Sequence, residues 1–146
     1  MGGKSRCILL VDDEEVILDV GTMMLEKIGY QVLGARSSAE AVEIFKQNGT
    51  EIDLVLLDLN LPDESGADTF KKIREIDPDA RVILSIGYNE THEVFELMDL
   101  GCRGLLQKPF SLEGLFEKLM PQSKVFPTIT RYIMDNDSIF DSTDRV

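Results

Sequence analysis

A few charged residues in this sequence are of the types that together bind and accept a phosphoryl group. The acidic pair Asp12 and Asp13, the carboxylate of Asp58 and the ammonium of Lys108 each follow a short apolar run. Carboxylates that converge repel one another, since two unit charges about 4 Å apart cost on the order of 4 kcal/mol at an effective dielectric constant of about 20. A cation must therefore join them, and a hard divalent ion, Mg²⁺ or Mn²⁺, takes oxygen ligands of this kind.

Within such a pocket, Asp58 is the candidate nucleophile. Its carboxylate would attack phosphorus to form an acyl phosphate, while the metal ion and the compact ammonium of Lys108 neutralise the charge on the transferring oxygens. A single acid after a strand is more often a loop or helix-capping residue than a catalytic group. Here charged residues from several separate segments are all placed at the same edge of the predicted sheet, which favours a phosphoryl-binding site over capping roles.

Buried strands and covering helices must bring these residues together. Short continuous apolar runs alternate with segments of helical period, which predicts an α/β fold, (βα)5, with a doubly wound parallel sheet in a three-layer sandwich. Ligands of such sheets bind beyond the carboxyl ends of the strands, where the charged residues lie. The five predicted strands are "CILLV" (7–11), "YQVLGA" (30–35), "DLVLL" (53–57), "RVILSI" (81–86) and "GLLQ" (104–107).

Helices are predicted between and after these strands. Ser37 and Glu40 form a capping box at the start of the second helix, the third helix stops before Pro78, Gly101 ends the fourth, and Ser111 caps a fifth. The apolar face of the first helix is predicted to be Ile17, Val20, Met24 and Ile28. The third and fourth helices are predicted over residues 66–77 and 90–100.

Composition limits the function classes. The chain has 146 residues, 43% of them apolar, and a formal net charge of -12. This charge disfavours binding to nucleic acid or to an anionic membrane. No apolar run approaches the length of a membrane span, and the start "MGGKSRC" lacks the apolar region of a signal peptide, so a cytoplasmic location is expected. Cys7 and Cys102 are predicted to be reduced, and the single histidine, His92, argues against a zinc site or a nucleophile–histidine pair.

The sequence changes character near residue 120. Residues 5–120 carry the alternating pattern, whereas residues 121–146 contain two prolines and an acidic run rich in serine and threonine. We therefore expect one domain over 5–120 and an acidic C-terminal extension or linker over 121–146.

Three motifs, "LLVDDEE", "LVLLDLNLPDESG" and "LQKPF", give the chain a specific resemblance to the receiver domains of two-component response regulators. Receivers accept phosphate from a sensor histidine kinase or a histidine phosphotransfer protein, and they have a flavodoxin-like fold with strand order 2-1-3-4-5. The resemblance implies that Asp58 is the phosphorylated residue and that Lys108 contacts the phosphoryl group. It implies Asp12, Asp13, Asp58 and the backbone carbonyl of Asn60 as metal ligands.

Two positions depart from the family pattern. Receivers usually have Ser or Thr before a small residue at the end of the fourth strand, and an aromatic residue three positions before the lysine. Counting from Gly87 places Ile86 at the first of these switch positions, and counting back from Lys108 places Leu105 at the second. Ser85 is a substitute hydroxyl that we expect to reach the site only if the strand end bulges. The sequence thus predicts phosphorylation with weak coupling to the face of helix 4, strand 5 and helix 5.

The resemblance leaves several interpretations open. The chain is expected to be a signalling module and not an enzyme, either free-standing or part of a hybrid histidine kinase or larger regulator, with a homodimer through the helix 4, strand 5, helix 5 face as a further expectation. The alternative is a receiver-like protein-interaction module without phosphate-dependent switching. A metal-dependent phosphohydrolase would need a second aspartate two residues after Asp58, where Asn60 stands.

Overall fold

The computed structural model describes residues 6–86, 98–108, 113, 114 and 117. The chain divides into two units, Met1–Lys108 and Pro109–Val146, and each strand of the sheet belongs to the first. The predicted extension over 121–146, Pro109, Ser111 and most of the predicted fourth helix lie outside the described residues.

Five parallel strands form one sheet in the order β2-β1-β3-β4-β5. This confirms the predicted α/β fold and the strand order that the family resemblance implied. The long apolar runs become the central strands because a parallel sheet is covered by helices on both faces, and all residues of β3 and β4 are buried. The strands are β1 (Arg6–Val11), β2 (Tyr30–Ala35), β3 (Leu54–Asp58), β4 (Val82–Ile86) and β5 (Gly104–Gln107).

Three helices connect the first four strands: α1 (Glu15–Ile28), α2 (Ser38–Asn48) and α3 (Gly66–Ile76). Ser37 caps α2 as predicted, since its hydroxyl accepts a hydrogen bond from the Glu40 N–H at 3.1 Å, while the Glu40 carboxylate accepts one from the Arg36 N–H at 2.8 Å. Helix α3 ends before Pro78, also as predicted.

The inward face of α1 differs from the predicted one. The buried residues are Leu18, Gly21, Leu25 and Ile28, whereas Val20 is 41% exposed. Helix α1 has apolar residues on most of its sides, so the 3.6-residue period is compatible with either of two neighbouring faces being the buried one. The prediction also left out the small Gly21 as a packing residue. Of the predicted face, Ile28 is buried.

Alternate side chains of the central strands enter an apolar cluster with α2 and α3. Leu57 and Leu59 flank Asp58 in this cluster, and Leu84 and Ile86 flank Ser85. Because successive side chains of a strand point to opposite faces of the sheet, the flanked polar residues face away from the cluster. The α2 and α3 side of the sheet is therefore apolar up to its carboxyl edge.

Candidate functional site

The carboxyl ends of the strands place the predicted site residues at one edge of the sheet. Asp12 follows β1, Asp58 is the last residue of β3, and Lys108 follows β5. The Asp12 N–H bonds the Ala35 carbonyl at 3.0 Å and the Lys108 N–H bonds the Ile86 carbonyl at 2.8 Å, so backbone hydrogen bonds to the neighbouring strands hold both residues in place. Asp12 and Asp58 are buried.

The Lys108 ammonium lies between these carboxylates. Its Nζ atom is 3.1 Å from Asp12 Oδ2, 3.3 Å from Asp58 Oδ1 and 3.8 Å from the Glu14 carboxylate. The lysine side chain is 17% exposed, and those of Asp12 and Asp58 are 2% and 4% exposed. A half-buried ammonium held by two buried carboxylates is a fixed positive charge at the carboxyl edge of the sheet, beside Asp58.

Three carboxylates at this edge are arranged to hold a cation. Asp12, Asp13 and Asp58 each offer an oxygen atom, and these atoms lie within 4.8 Å of one another. Asp13 is exposed while the other two are buried. Hard oxygen donors that open to water on one side fit Mg²⁺, which keeps several water ligands.

The electrostatics of the pocket favour bound positive charge. Burial, and then the negative charge of Asp12, raise the pKa of the Asp58 carboxyl from 3.8 to about 6, against the opposing effects of Lys108 and the Asn60 N–H. Burial alone would lower the pKa of the Lys108 ammonium, but Asp58 and Asp12 outweigh it and raise that pKa. The lysine thus stays charged, but its charge does not fully offset the effects of burial and of Asp12 on the Asp58 carboxylate.

The loop after Asp58 is closely fitted to the strand. The Asn60 N–H donates to Asp58 Oδ1 at 3.2 Å, Asn60 and Ser65 form an antiparallel bridge, and the Gly66 N–H donates to the Leu59 carbonyl at 2.7 Å. A Cβ atom on Gly66 would lie 2.6 Å from the Asp58 carbonyl oxygen and 2.6 Å from Leu59 Cα. The glycine in this turn is therefore required by the close approach of α3 to the end of β3.

Sequence reasoning missed a second anchor of this loop. The Asp63 carboxylate accepts hydrogen bonds from the Ser38 and Ala39 N–H groups at 2.9 and 3.0 Å, and these bonds lower the Asp63 pKa. Glu64 accepts from the Ser38 hydroxyl at 2.9 Å, and Thr69 donates to that hydroxyl at 2.7 Å. Two acidic residues in the turn "LPDESG" are of a type that caps helices. The helix that Asp63 caps is α2, which is distant in sequence, so the local pattern could not identify it.

The end of β4 presents two neighbouring side chains with different surroundings. The register pairs Ser85 with Asp58 on one side and with Leu106 on the other, and the pairing continues regularly through Ile86. Ile86 belongs to the apolar cluster, and the partly buried Leu105 packs against it. The regular strand therefore places Ser85 on the same face of the sheet as Asp58, because paired residues of parallel strands share a face. A contact between the Ser85 hydroxyl and the site stays a prediction.

Comparison with known proteins agrees with this geometry. A family model described as the response regulator receiver domain matches residues 8–120. The chain belongs to this family. Receiver domains are signalling modules of two-component systems and not classical enzymes; they bind Mg²⁺ at an acidic pocket and interact with histidine kinases or phosphotransfer proteins.

Relatives of this receiver domain occur alone and inside larger proteins. The sensor kinase CckA of Brucella abortus is 36% identical over 111 residues, which are 76% of this chain and 12% of that protein. The chemotaxis protein CheY of Thermotoga maritima is 32% identical over 118 residues, which are 80% of this chain and 97% of that protein. A receiver domain protein of Clostridium thermocellum has a TM-score of 0.77 and 33% identity, covering 80% of this chain and 93% of that chain.

None of the helices in the described part of this receiver domain is both long and apolar enough to cross a membrane.

Proposed function

We propose that this receiver domain accepts a phosphoryl group on Asp58 from a histidine kinase or a histidine phosphotransfer protein, with Mg²⁺ or Mn²⁺ as cofactor. The observation that carries the proposal is the convergence of three carboxylates within 4.8 Å of one another with the Lys108 ammonium 3.3 Å from Asp58. A pocket of this charge without a bound cation would be a costly structural feature, because carboxylates held close together repel one another.

In the proposed transfer, an Asp58 carboxylate oxygen forms a bond to phosphorus as the bond between phosphorus and the donor imidazole nitrogen breaks, and the imidazole keeps the electron pair. Lys108 and the Asn60 N–H hold the Asp58 carboxylate in position. Asp12, Asp13 and Asp58, with the Asn60 carbonyl, would hold the metal ion, which supplies positive charge to the transferring oxygens. Lys108 supplies the remaining charge from the β5 side.

Incubation with acetyl phosphate and Mg²⁺ tests this function. The expected result is a gain of one phosphoryl group in the intact mass of the wild-type chain, with no gain in the Asp58→Asn variant or in the presence of excess chelator. Asp79→Asn is the matched control, because Asp79 is an exposed aspartate in the turn before β4. Phosphorylation of Asp58→Asn at the wild-type rate would refute the assignment of the acceptor.

The switch is proposed to be weak. Ile86 and Leu105 offer no hydroxyl and no aromatic ring at the two positions that couple phosphorylation to the helix 4, strand 5, helix 5 face in other receivers, and Leu105 already packs against the apolar cluster. Beryllofluoride, a phosphoryl mimic, should therefore shift amide resonances around Asp58 far more than those of β5. Equal shifts in both regions would contradict weak coupling.

A receiver-like interaction module, with little or no phosphate-dependent switching, is the second candidate. The apolar residues at both switch positions favour it, and the charged pocket around Lys108 opposes it. Under this alternative a partner protein would bind the acetyl phosphate-treated chain and the Asp58→Asn variant with the same affinity. A difference in affinity between the two would favour the phosphoryl receiver.

The remaining features of the proposal rest on the sequence. We assign residues 5–120 to the receiver domain and 121–146 to an acidic extension or linker, and we expect no direct binding to nucleic acid. The buried free thiols of Cys7 and Cys102 support a reducing compartment such as the cytoplasm. The chain is proposed to be either free-standing or part of a hybrid histidine kinase or larger regulator. Sedimentation with and without beryllofluoride tests the predicted homodimer.

A further inference from the structure

One buried hydroxyl group on the sheet lacks a hydrogen-bond partner. Ser85 is 5% exposed, and its Oγ atom has no hydrogen-bond partner within the described structure. Buried hydroxyl groups are nearly always bonded, because leaving one unpaired costs the protein the hydration that the group has lost. An unpaired hydroxyl next to a reactive carboxylate indicates a partner that arrives with the ligand.

The strand pairing directs this hydroxyl to the Asp58 face. Leu84 and Ile86 lie in the apolar cluster, so the intervening Ser85 points to the other face of the sheet. Asp58 lies between two members of the same cluster, and the register places it directly beside Ser85. Neighbouring strands are about 4.8 Å apart, which brings the serine side chain within reach of a group attached to the Asp58 carboxylate.

Ser85 also lies between the nucleophile and the lysine. The strand order places β4 between β3 and β5, and Ser85 pairs with Asp58 on one side and with Leu106 on the other. Lys108 follows Leu106 by two residues, and its Nζ atom lies 3.3 Å from Asp58 Oδ1. The lysine side chain therefore extends from the β5 side to Asp58 across the end of β4, the strand that carries Ser85.

We propose that the Ser85 hydroxyl donates a hydrogen bond to an oxygen of the phosphoryl group on Asp58. No covalent bond to serine forms or breaks, and the hydroxyl keeps its proton. The phosphoryl group brings three acceptor oxygens to a hydroxyl that has no partner among the residues that the structure describes. This role rests on the proposed function, since it needs a phosphoryl group or its mimic on Asp58.

This contact would act differently from a hydroxyl at position 86. Ser85 faces away from the apolar cluster in which Ile86 lies and against which Leu105 packs. A hydrogen bond from Ser85 stabilises the phosphoryl group without moving the side chains of Ile86 and Leu105. Ser85 thus contributes to the rate and lifetime of phosphorylation, while communication from the phosphoryl group to β5 depends on other residues.

Titration calorimetry with beryllofluoride and Mg²⁺ tests the contact in the full chain. A hydrogen bond to a charged group corresponds to roughly 10- to 100-fold in affinity, so Ser85→Ala should weaken beryllofluoride binding by about that factor. Ser85→Cys, which keeps the shape but donates poorly, should lose a similar factor, and Ser85→Thr should retain most of the affinity. The same variants should slow phosphorylation by acetyl phosphate in the same order.

Two comparisons distinguish this contact from a structural role. Ile83→Val alters the same face of the same strand two residues earlier and should leave beryllofluoride affinity unchanged. Without ligand, Ser85→Ala should unfold at the same temperature as wild type or higher, because it removes an unpaired buried hydroxyl. If Ser85→Ala and Ser85→Cys bind beryllofluoride as wild type does, the inference is wrong and the proposed function stands. If the wild-type chain neither binds beryllofluoride nor gains a phosphoryl group, both are wrong.

Discussion

Two regions at the same edge of the sheet differ in how they relate to the family pattern. The acidic pocket has its expected charges in contact, with the Lys108 ammonium 3.1 Å from Asp12 and 3.3 Å from Asp58. The end of β4 and the start of β5 instead carry apolar side chains, Ile86 and Leu105, that pack with the hydrophobic cluster. Under the proposed function, the first region provides the chemistry of phosphorylation, and the second holds the positions through which other receivers respond to it.

Under the proposed function, the two tasks depend on different faces of β4. Side chains of β4 alternate, so Ser85 shares the Asp58 face while Ile86 joins the opposite, apolar one. A change at Ile86 can alter coupling without disturbing the charged pocket, and a change at Ser85 can do the reverse. The predictions that follow test whether the two regions are separable in this way.

Removal of the half-buried Lys108 ammonium should slow phosphorylation the most. Lys108→Gln leaves Asp12 and Asp58 facing each other without their shared cation, and breaking a buried ion pair costs about 3–5 kcal/mol. If the transition state loses a comparable amount, phosphorylation by acetyl phosphate should slow by on the order of 100- to 1000-fold, measured by the time course of intact mass.

The control for this prediction is an ion pair at the surface. Lys72 lies 2.8 Å from Glu64, but its side chain is 50% exposed, so Lys72→Gln should cause no comparable loss of rate. A Lys108→Gln variant that is phosphorylated as fast as Lys72→Gln would mean that the pocket does not depend on its lysine.

The Asp58→Asn variant should be more stable than wild type when metal is absent. Burial raises the Asp58 pKa from 3.8 to about 6, with a further contribution from Asp12. At about 1.4 kcal/mol for each unit of pKa, the ionised carboxylate costs the folded state about 3 kcal/mol. Urea unfolding at pH 8 with a chelator should therefore give Asp58→Asn a free energy of unfolding higher by about that amount.

The pH dependence gives the sign of this effect. A carboxyl whose pKa is higher in the folded than in the unfolded protein binds its proton more tightly when folded, so its contribution is favourable at low pH and is lost as pH rises from about 4 to about 6. The stability difference between wild type and Asp58→Asn should open over that interval and remain constant above it. A difference independent of pH, or one equalled by the exposed control Asp79→Asn, would contradict the electrostatic explanation.

The loop that supports the acceptor should tolerate no side chain at Gly66. A Cβ atom there would lie 2.6 Å from the Asp58 carbonyl oxygen, and such overpacking costs about 1–3 kcal/mol. Gly66→Ala should lower the free energy of unfolding by this amount and slow phosphorylation, because the strand end that carries Asp58 must shift. Gly34→Ala is the matched control, since the nearest atom to its Cβ is 3.8 Å away and stability should change little.

Much of the fold and pocket followed from the sequence for a simple physical reason. Apolar runs long enough for one strand, separated by helical segments, permit essentially one layered arrangement, and parallel strands bring their carboxyl ends together. Asp12, Asp58 and Lys108 follow strands, so their convergence could be inferred without knowing any distance. The predicted bounds of β2 and β5 agree with the observed ones for the same reason.

Other features depended on contacts between distant segments. The Asp63 carboxylate bonds backbone N–H groups of α2, a contact 25 residues away in sequence that no local pattern reveals. The inward face of α1 was predicted incorrectly, since the choice between its apolar faces is made by the packing of Leu18 and Gly21 against the rest of the protein. The count from Gly87 could not show which face Ser85 occupies, because the register to β3 decides that, and a contact between Ser85 and the site stays a prediction.

The smallest expected effect comes from returning a hydroxyl to position 86. Ile86 is the last residue of β4, so the hydroxyl of Ile86→Thr can reach a phosphoryl oxygen only by extending past the edge of the sheet. That hydrogen bond is worth about 1.5–3 kcal/mol, but the variant loses apolar packing worth about 0.5–1.5 kcal/mol, so the net change in beryllofluoride affinity should be modest. Ile86→Val has nearly the same shape without the hydroxyl and isolates that hydrogen bond. Combined with Leu105→Tyr, the threonine should enlarge the beryllofluoride-induced shifts of β5 amide resonances, whereas valine should not. Equal β5 shifts in the threonine and valine variants would mean that position 86 does not couple phosphoryl binding to β5. The apolar residue at position 86 would then not explain weak coupling between the acidic pocket and β5.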